Sequence, residues 1–303
     1  MGGQCGCKIL QDVDGYCSGQ QTGQSNVAGD LEAHDLRSRT HKTTRLAPLA
    51  SVFGNEWQVV DEEELARQIA VIALGYSHHV RKILEGTGIY DADYPADGVA
   101  SAIQLLTVDG DDSSHRDGWL FQAISWIAAI RADPSARMAA PHMQHADKGF
   151  DGLQIEIDDA TGRVKCAVVF EDKATTNPRN MITREDKGVW KEFRELEEGL
   201  RFSFFTAQVL AVIRTETSLN PDEAIKEVLW KEARRYRLSI TVSATHSNDK
   251  GRKRLFKGYD SVVPGDLNRR RAETFHQDDI RTWLASLAEK AKSQISNGAV
   301  ANV

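Results

Sequence analysis

The sequence predicts an α/β chain: a mixed sheet flanked by helices, preceded by a helical N-terminal part. Three observations carry that prediction. Within residues 148–174 two apolar runs face each other across Asp158-Asp159-Ala160-Thr161-Gly162, whose residue types suit a hairpin turn. Helical periodicity brackets this pair on both sides, and Arg237–Thr245 (RLSITVSAT) alternates as a further strand. The resulting order of helix, strand, strand, helix, helix, strand is that of helices packed on a sheet whose strands are not all joined by hairpins.

Residues 1–45 are Gly/Gln/Ser-rich and without period, and read as a polar, flexible leader. Residues 46–114 form the helical N-terminal part. There the acids Asp61–Glu64 open a helix with Leu65, Ile69, Ile72 and Ala73 on one face, and a second helix covers about 96–107. Residues 115–300 form the core with its C-terminal helix. Its first helix, about 117–131, repeats Trp119, Ala123, Trp126, Ile127 and Ile130 at helical spacing and stops at Asp133-Pro134. After the strand pair, a long helix over 185–214 would bury Val189, Phe193, Leu196, Leu200, Phe204, Ala207 and Ala211. Asn220-Pro221 with Glu223 reads as the N-cap, first and third positions of the next helix. A strand around 255–263 and an amphipathic helix over 278–295 complete the pattern, with Trp119, Trp126, Trp190, Trp230 and Trp283 assigned to the core.

The bulk numbers narrow the class. With 303 residues, 41% hydrophobic and 27% charged, the chain suits one large domain or two small ones. It has no apolar run of membrane-spanning length and no basic-then-apolar secretory signal, so a cytoplasmic location and no membrane partner are expected. Cys5, Cys7 and Cys17 sit in the leader and Cys166 in a strand, which favours a reducing compartment over a disulfide framework. The spacing of Cys5, Cys7, Cys17 and His34 fits no common zinc finger, and His142, His145 and Asp147 read as a polar loop. Net charge is −6, yet Lys231–Arg271 holds 12 basic residues against 4 acids. That asymmetry points to one face for phosphates, with Arg252, Lys253, Arg254, Arg269, Arg270 and Arg271 as its candidate contacts.

The chemistry concentrates in the strand pair. Alternate residues of a strand share a face, so Glu171 and Lys173 emerge side by side at the end of the second strand. Asp151 opens the otherwise apolar face of the first strand, and pairing about the turn brings it near Glu171, allowing for one bulge. Two adjacent carboxylates repel, and a divalent cation relieves that repulsion. Asp151 and Glu171 are therefore candidate metal ligands, and Lys173 a candidate to orient or help deprotonate a water, or to stabilise charge on a phosphate.

Asp151 followed by Glu171-Asp172-Lys173 resembles the motif of the PD-(D/E)xK, or restriction-endonuclease-like, nuclease superfamily. The preceding helix and the following helix and strand match that family's core in order over roughly 115–245, with two of its three leading strands placed. The literal Pro before the first acid is absent, as is the Q-x-x-x-Y of the RecB-like branch. Some members add an acid on the first core helix, where this chain offers Asp117 and Gln122. The placement is also similar to nuclease subunits of bacterial anti-phage systems of the Hachiman type. The resemblance implies a restriction-endonuclease-like core and a DNA endonuclease, hydrolysing phosphodiester bonds with Mg²⁺ (Mn²⁺ substituting). It further implies a role against foreign DNA under the control of a protein partner such as a helicase or sensor subunit. The chain has no P-loop of its own. The alternative is a non-catalytic adaptor that binds nucleic acid or a partner on a nuclease-like fold.

Overall fold

The computed structural model describes residues 41–84, 96–143, 149–158, 160–214 and 220–300. The first forty residues, with Cys5, Cys7, Cys17 and His34, lie outside the described residues, as do His145 and Asp147. A seven-stranded mixed sheet runs β1-β2-β7-β6-β5-β4-β3. Its strands are β1 (His41–Arg45), β2 (Asn55–Val59), β3 (Arg137–Met138), β4 (Gly152–Ile157), β5 (Val164–Lys173), β6 (Arg234–Val242) and β7 (Arg270–His276). β5, β6, β7 and β2 are mutually parallel, while β1 pairs antiparallel with β2, β4 with β5 and β3 with β4.

The central strands read as they do because both faces are covered. Cys166, Val168 and Phe170 of β5 point into one apolar core, and Ala167 and Val169 into the other. The first core is closed by α1 (Glu62–Ala73), α2 (Ser77–Leu84), α3 (Ala96–Leu105), α4 (Ser114–Ala132) and α11 (Ile280–Val300). The second is closed by α5 (Pro178–Thr183), α6 (Val189–Glu197), α7 (Phe202–Ile213), α8 (Pro221–Leu229), α9 (Asp249–Leu255) and α10 (Tyr259–Val262). The parallel crossovers β5→β6 and β6→β7 carry α5–α8 and α9–α10. Among the described residues no helix is long and apolar enough to cross a membrane.

Local chemistry sets the element ends. Asp61 caps α1 by accepting from the Glu64 N–H at 2.9 Å, and Asn220 caps α8 by accepting from the Asp222 and Glu223 N–H groups. Asp158 closes the β4–β5 turn through the Ala160 and Thr161 N–H groups, and the register shifts at Glu156/Ile157.

The structure departs from the sequence reading at several points. β1 lies at the end of the 1–45 segment read as a flexible leader, and β2 opens the 46–114 part read as helical; both extend the sheet. The long helix over 185–214 is two helices, because Gly199 adopts φ 85° and ends α6 with its N–H on Leu196. The second half then rotates: Phe205, Val209, Val212 and Ile213 face inward, while Leu200 is exposed and Ala207 and Ala211 lie outside. Residues 255–263 are helical rather than extended, since Leu255, Phe256, Tyr259, Val262 and Val263 meet the core at helical spacing. The next strand is instead the charge-rich β7. Trp230 is 71% exposed, outside the core assigned to it. A two-residue strand, β3, precedes β4 and pairs with it at the sheet edge.

One buried ion pair crosses the sheet. The Arg237 guanidinium donates through Nε and Nη2 to Glu273 Oε2 at 2.9 and 2.6 Å, with side-chain exposures of 0% and 1%. Burial pushes the Glu273 pKa up, but Arg237 and Arg271 outweigh it and hold the group below the usual carboxylate range. Removing one partner strands a buried charge, whereas removing both leaves an apolar site. Glu273→Leu is therefore expected to cost about 3–5 kcal/mol in urea denaturation, and Arg237→Met in the same chain to recover much of it. A single variant as stable as wild type would show that the pair does not hold the sheet.

Candidate active site

Asp151 immediately precedes β4, and Gly152 pairs with Phe170, so extending the antiparallel register sets Asp151 beside Glu171. Lys173 Nζ bridges them, donating to Asp151 Oδ2 at 2.9 Å and to Glu171 Oε2 at 2.7 Å. Asp151 Oδ2 also accepts the Asp172 backbone N–H at 2.8 Å. The backbone here is held from α4, where Gln122 Nε2 donates to the Asp151 carbonyl at 2.5 Å, and from the preceding loop, where His142 Nε2 lies 2.9 Å from the Phe150 carbonyl. The structure thus brings all three sequence candidates into one hydrogen-bonded cluster.

Burial controls its protonation. Glu171 is 1% exposed, and desolvation raises its pKa well above the ordinary value; Asp151 and Glu192 push the same way and Lys173 opposes. Burial alone would lower the Lys173 pKa, but Asp151, Glu171 and Glu192 surround the ammonium and hold it well above normal. Lys173 therefore keeps its proton at neutral pH and acts as a charged donor, not as a base. Of the three roles open to it from sequence, that direction disfavours deprotonating a water.

Glu192, on α6, is the site residue that sequence reasoning missed. It stands within hydrogen-bonding range of Glu171 and raises its pKa, and it lies 3.9 Å from Arg201 Nη1. In the run KEFRELEE nothing distinguishes it from its acidic neighbours. Asp117, by contrast, is buried at the start of α4 against Arg116 and Arg281 and takes no part in the cluster.

The opposite face of β5 carries Asp172, which is also buried. Ser125 Oγ on α4 donates to its Oδ1 at 2.6 Å, and Arg237 Nη1 donates to the same Oγ at 2.9 Å. Desolvation raises the Asp172 pKa to about 7, against the lowering influence of Arg237.

The basic candidates separate by burial. Arg252, Arg269 and Arg270 are buried. Arg269 donates to the Arg234 and Pro264 carbonyls and to Glu197, and Arg270 to the Ser51, Val263 and Gly265 carbonyls. Arg269 and Arg270 thus staple loops, whereas the guanidinium nitrogens of the buried Arg252 have no hydrogen-bond partner. Lys253 and Arg254 are exposed on α9, and Arg271 is mostly buried with its Nε on Glu273.

No family model, curated protein or solved structure matches this chain.

Among the described residues, no group of three or more His, Cys, Asp or Glu side chains is already arranged around a common metal position. The donors nevertheless suit a hard cation. Glu171 Oε1 is buried without a hydrogen-bond partner. A proton or a cation would satisfy that oxygen, and the Asp151 and Glu171 carboxylates are the hard oxygen ligands that could hold one.

Asp172 makes stability depend on pH. Its folded pKa is raised from the ordinary carboxylate value to about 7, so the folded state binds more protons than the unfolded one and stability falls as pH rises across that window. Asp172→Asn keeps the acceptor for Ser125 and removes the titration. It is expected to flatten the stability–pH curve between about pH 4 and 7 and to gain on the order of 1–3 kcal/mol relative to wild type at pH 8. Parallel curves for the two proteins in urea titrations would reject this assignment.

Proposed function

We propose that the Asp151–Glu171–Lys173 cluster hydrolyses phosphodiester bonds in DNA, as a metal-dependent endonuclease with a restriction-endonuclease-like core. The observation that carries the reading is an ammonium held between two carboxylates at adjacent strand ends, one of them buried with an unsatisfied oxygen. Asp151 and Glu171 would hold Mg²⁺ (or Mn²⁺), which supplies Lewis-acid polarisation of a phosphate oxygen when bound. Lys173, permanently charged, places a donor where negative charge develops on the phosphoryl group. Asp151 Oδ2 accepts from that ammonium and from the Asp172 N–H, and Gln122 holds the Asp151 carbonyl. Glu171 gives up its proton when a cation enters, so acid should compete with the metal. A protein partner, such as a helicase or sensor subunit, and a role against foreign DNA belong to the same proposal and rest on the resemblance.

The adaptor reading draws on two observations. Three of the six basic residues assigned to the DNA backbone are buried, and the net charge is −6. It requires no metal, which separates the two readings.

Plasmid and linear DNA incubated with the full chain should be cut with Mg²⁺ and spared with EDTA. Glu171→Gln and Lys173→Met should each lose about 10²-fold or more in rate while remaining folded by circular dichroism. Cleavage that survives either substitution would remove the cluster from the chemistry, and binding without cutting at any Mg²⁺ concentration would favour the adaptor. Because Glu192 helps raise the Glu171 pKa, Glu192→Gln should move the acid limb of the pH–rate profile to lower pH. An unmoved limb would mean that Glu171 does not set it.

A further inference from the structure

The helix that follows β6 gathers unpaired positive charge at the end of the sheet that carries the carboxylate cluster. β5 and β6 run parallel, with Lys173 opposite Ile240, so the chain leaves both strands at the same end. Thr241 Oγ1 accepts the Thr175 N–H and donates to the Thr175 carbonyl, both at 2.7 Å, which ties the two exits together. α9 follows from the β6 exit and packs Leu255 into the second core, the layer that Glu171 and Lys173 face. In open sheets with parallel strands this is the end at which ligands bind.

α9 has two unlike faces. Gly251, Arg252 and Leu255 are buried, and Gly251 lies so close to the Thr245 carbonyl that a Cβ would stand 2.2 Å from its oxygen. Lys250, Lys253, Arg254 and, just past the helix end, Lys257 follow the i, i+3, i+4, i+7 spacing of a single helical face, and all four are exposed. None of the four side chains makes an ion pair or a hydrogen bond among the described residues. The one acid of the helix, Asp249, lies 3.6 Å from the buried Arg252. Like charges at this spacing destabilise a helix, so the stripe depends on anchoring from other elements. Asn248 Oδ1 accepts the Gly251 N–H at 2.9 Å, and Arg179 Nη1 on α5 donates to the Leu255 and Lys257 carbonyls at 2.7 and 2.9 Å. The four cations are thus displayed from a fixed backbone.

The chemistry of this face selects its partner. Protein interfaces centre on apolar and aromatic anchors and are depleted in Lys, and none of the exposed large hydrophobic side chains among the described residues belongs to α9. Contact with a phosphate backbone needs charge alone. With a net charge of −6, attraction for a polyanion has to come from a local surface. We propose that the Lys250, Lys253, Arg254 and Lys257 face of α9 binds the phosphate backbone of DNA. This surface rests on the nucleic-acid partner of the proposed function, which the endonuclease and adaptor readings share, and not on the hydrolytic step.

Fluorescence anisotropy of a labelled DNA duplex with the full chain, in EDTA so that nothing is cut, tests this over a range of salt concentrations. Binding that weakens with salt is expected. Lys253→Glu with Arg254→Glu should weaken it about tenfold or more and lower the salt slope by about two. Lys42→Glu with Arg45→Glu makes the same charge change on exposed residues of the far edge strand β1, and should stay within about threefold of wild type. Circular dichroism checks that both variants fold, and Lys253→Gln with Arg254→Gln replaces the α9 variant if charge reversal unfolds it. No binding by the wild-type chain overturns the proposal, as does equal weakening by the two double variants or undiminished binding by the α9 variant. Polyglutamate that competes as well as unlabelled duplex at equal charge also overturns it, in favour of an acidic protein. Mg²⁺-dependent cutting is scored separately. Duplex held through α9 but never cut keeps this surface and removes the hydrolytic reading, whereas cutting by an α9 variant that binds like wild type removes the surface and keeps the cluster.

Discussion

The Arg237–Glu273 pair is the interaction around which the sheet closes. Arg237 has no exposed side-chain surface and lies between the rings of Trp57 and Phe170, at 4.9 and 4.4 Å from their centroids. It therefore touches β2 and β5 while bonding β7 and α4 from its place on β6. A guanidinium in so dry an environment tolerates little misalignment, because each lost partner leaves charge unpaired. The same cation fixes Ser125, and Ser125 fixes Asp172. Asp172 in turn presents its backbone N–H to Asp151 on the other side of the strand. Alignment of the carboxylate cluster is thus tied to a polar network on the far face of β5.

Strand parity makes that division of labour possible. Asp172 faces α4 and is satisfied by a hydroxyl, while Glu171 and Lys173 face the second layer and are satisfied mainly by each other and by Asp151. Consecutive acids in one buried strand would be prohibitive if both were ionised in the same environment. The two faces separate them, and each keeps its acid hydrogen-bonded. The residual cost appears as raised pKa values for both Glu171 and Asp172, with desolvation the largest cause in each case.

What the sequence revealed and what it concealed divide along the same physical line. The β4–β5 hairpin, the helix before it and the Asn220 cap were legible because alternation, periodicity and capping are local signals. The grouping of Asp151, Glu171 and Lys173 followed from register alone. β7 was hidden because Arg-Arg-Ala-Glu-Thr-Phe-His reads as solvated charge until Glu273 meets Arg237, 36 positions earlier. The buried Arg252, Arg269 and Arg270 were misread as a surface for the same reason: a charge count carries no information on burial. Glu192 became visible only when α6 was laid across the end of β5, and the break at Gly199 rotated away residues that a continuous helix would have buried.

The cluster's protonation explains how one constellation can be stable at rest and receptive to a cation. With Lys173 charged and Glu171 inclined to keep its proton, the Asp151 carboxylate balances the ammonium, and the folded chain need not bury an unbalanced charge. On the proposed function, a divalent cation would take the place of the Glu171 proton, and the oxygen that lacks a partner would help hold it. Burial lowers the Lys173 pKa, but the surrounding Asp151, Glu171 and Glu192 carboxylates hold it above the ordinary value. On the proposed function the exchangeable proton would be on Glu171, whose raised pKa owes part of its shift to Glu192 on α6. A helix that sequence reading treats as packing thus adjusts the chemistry at the strand end beside it.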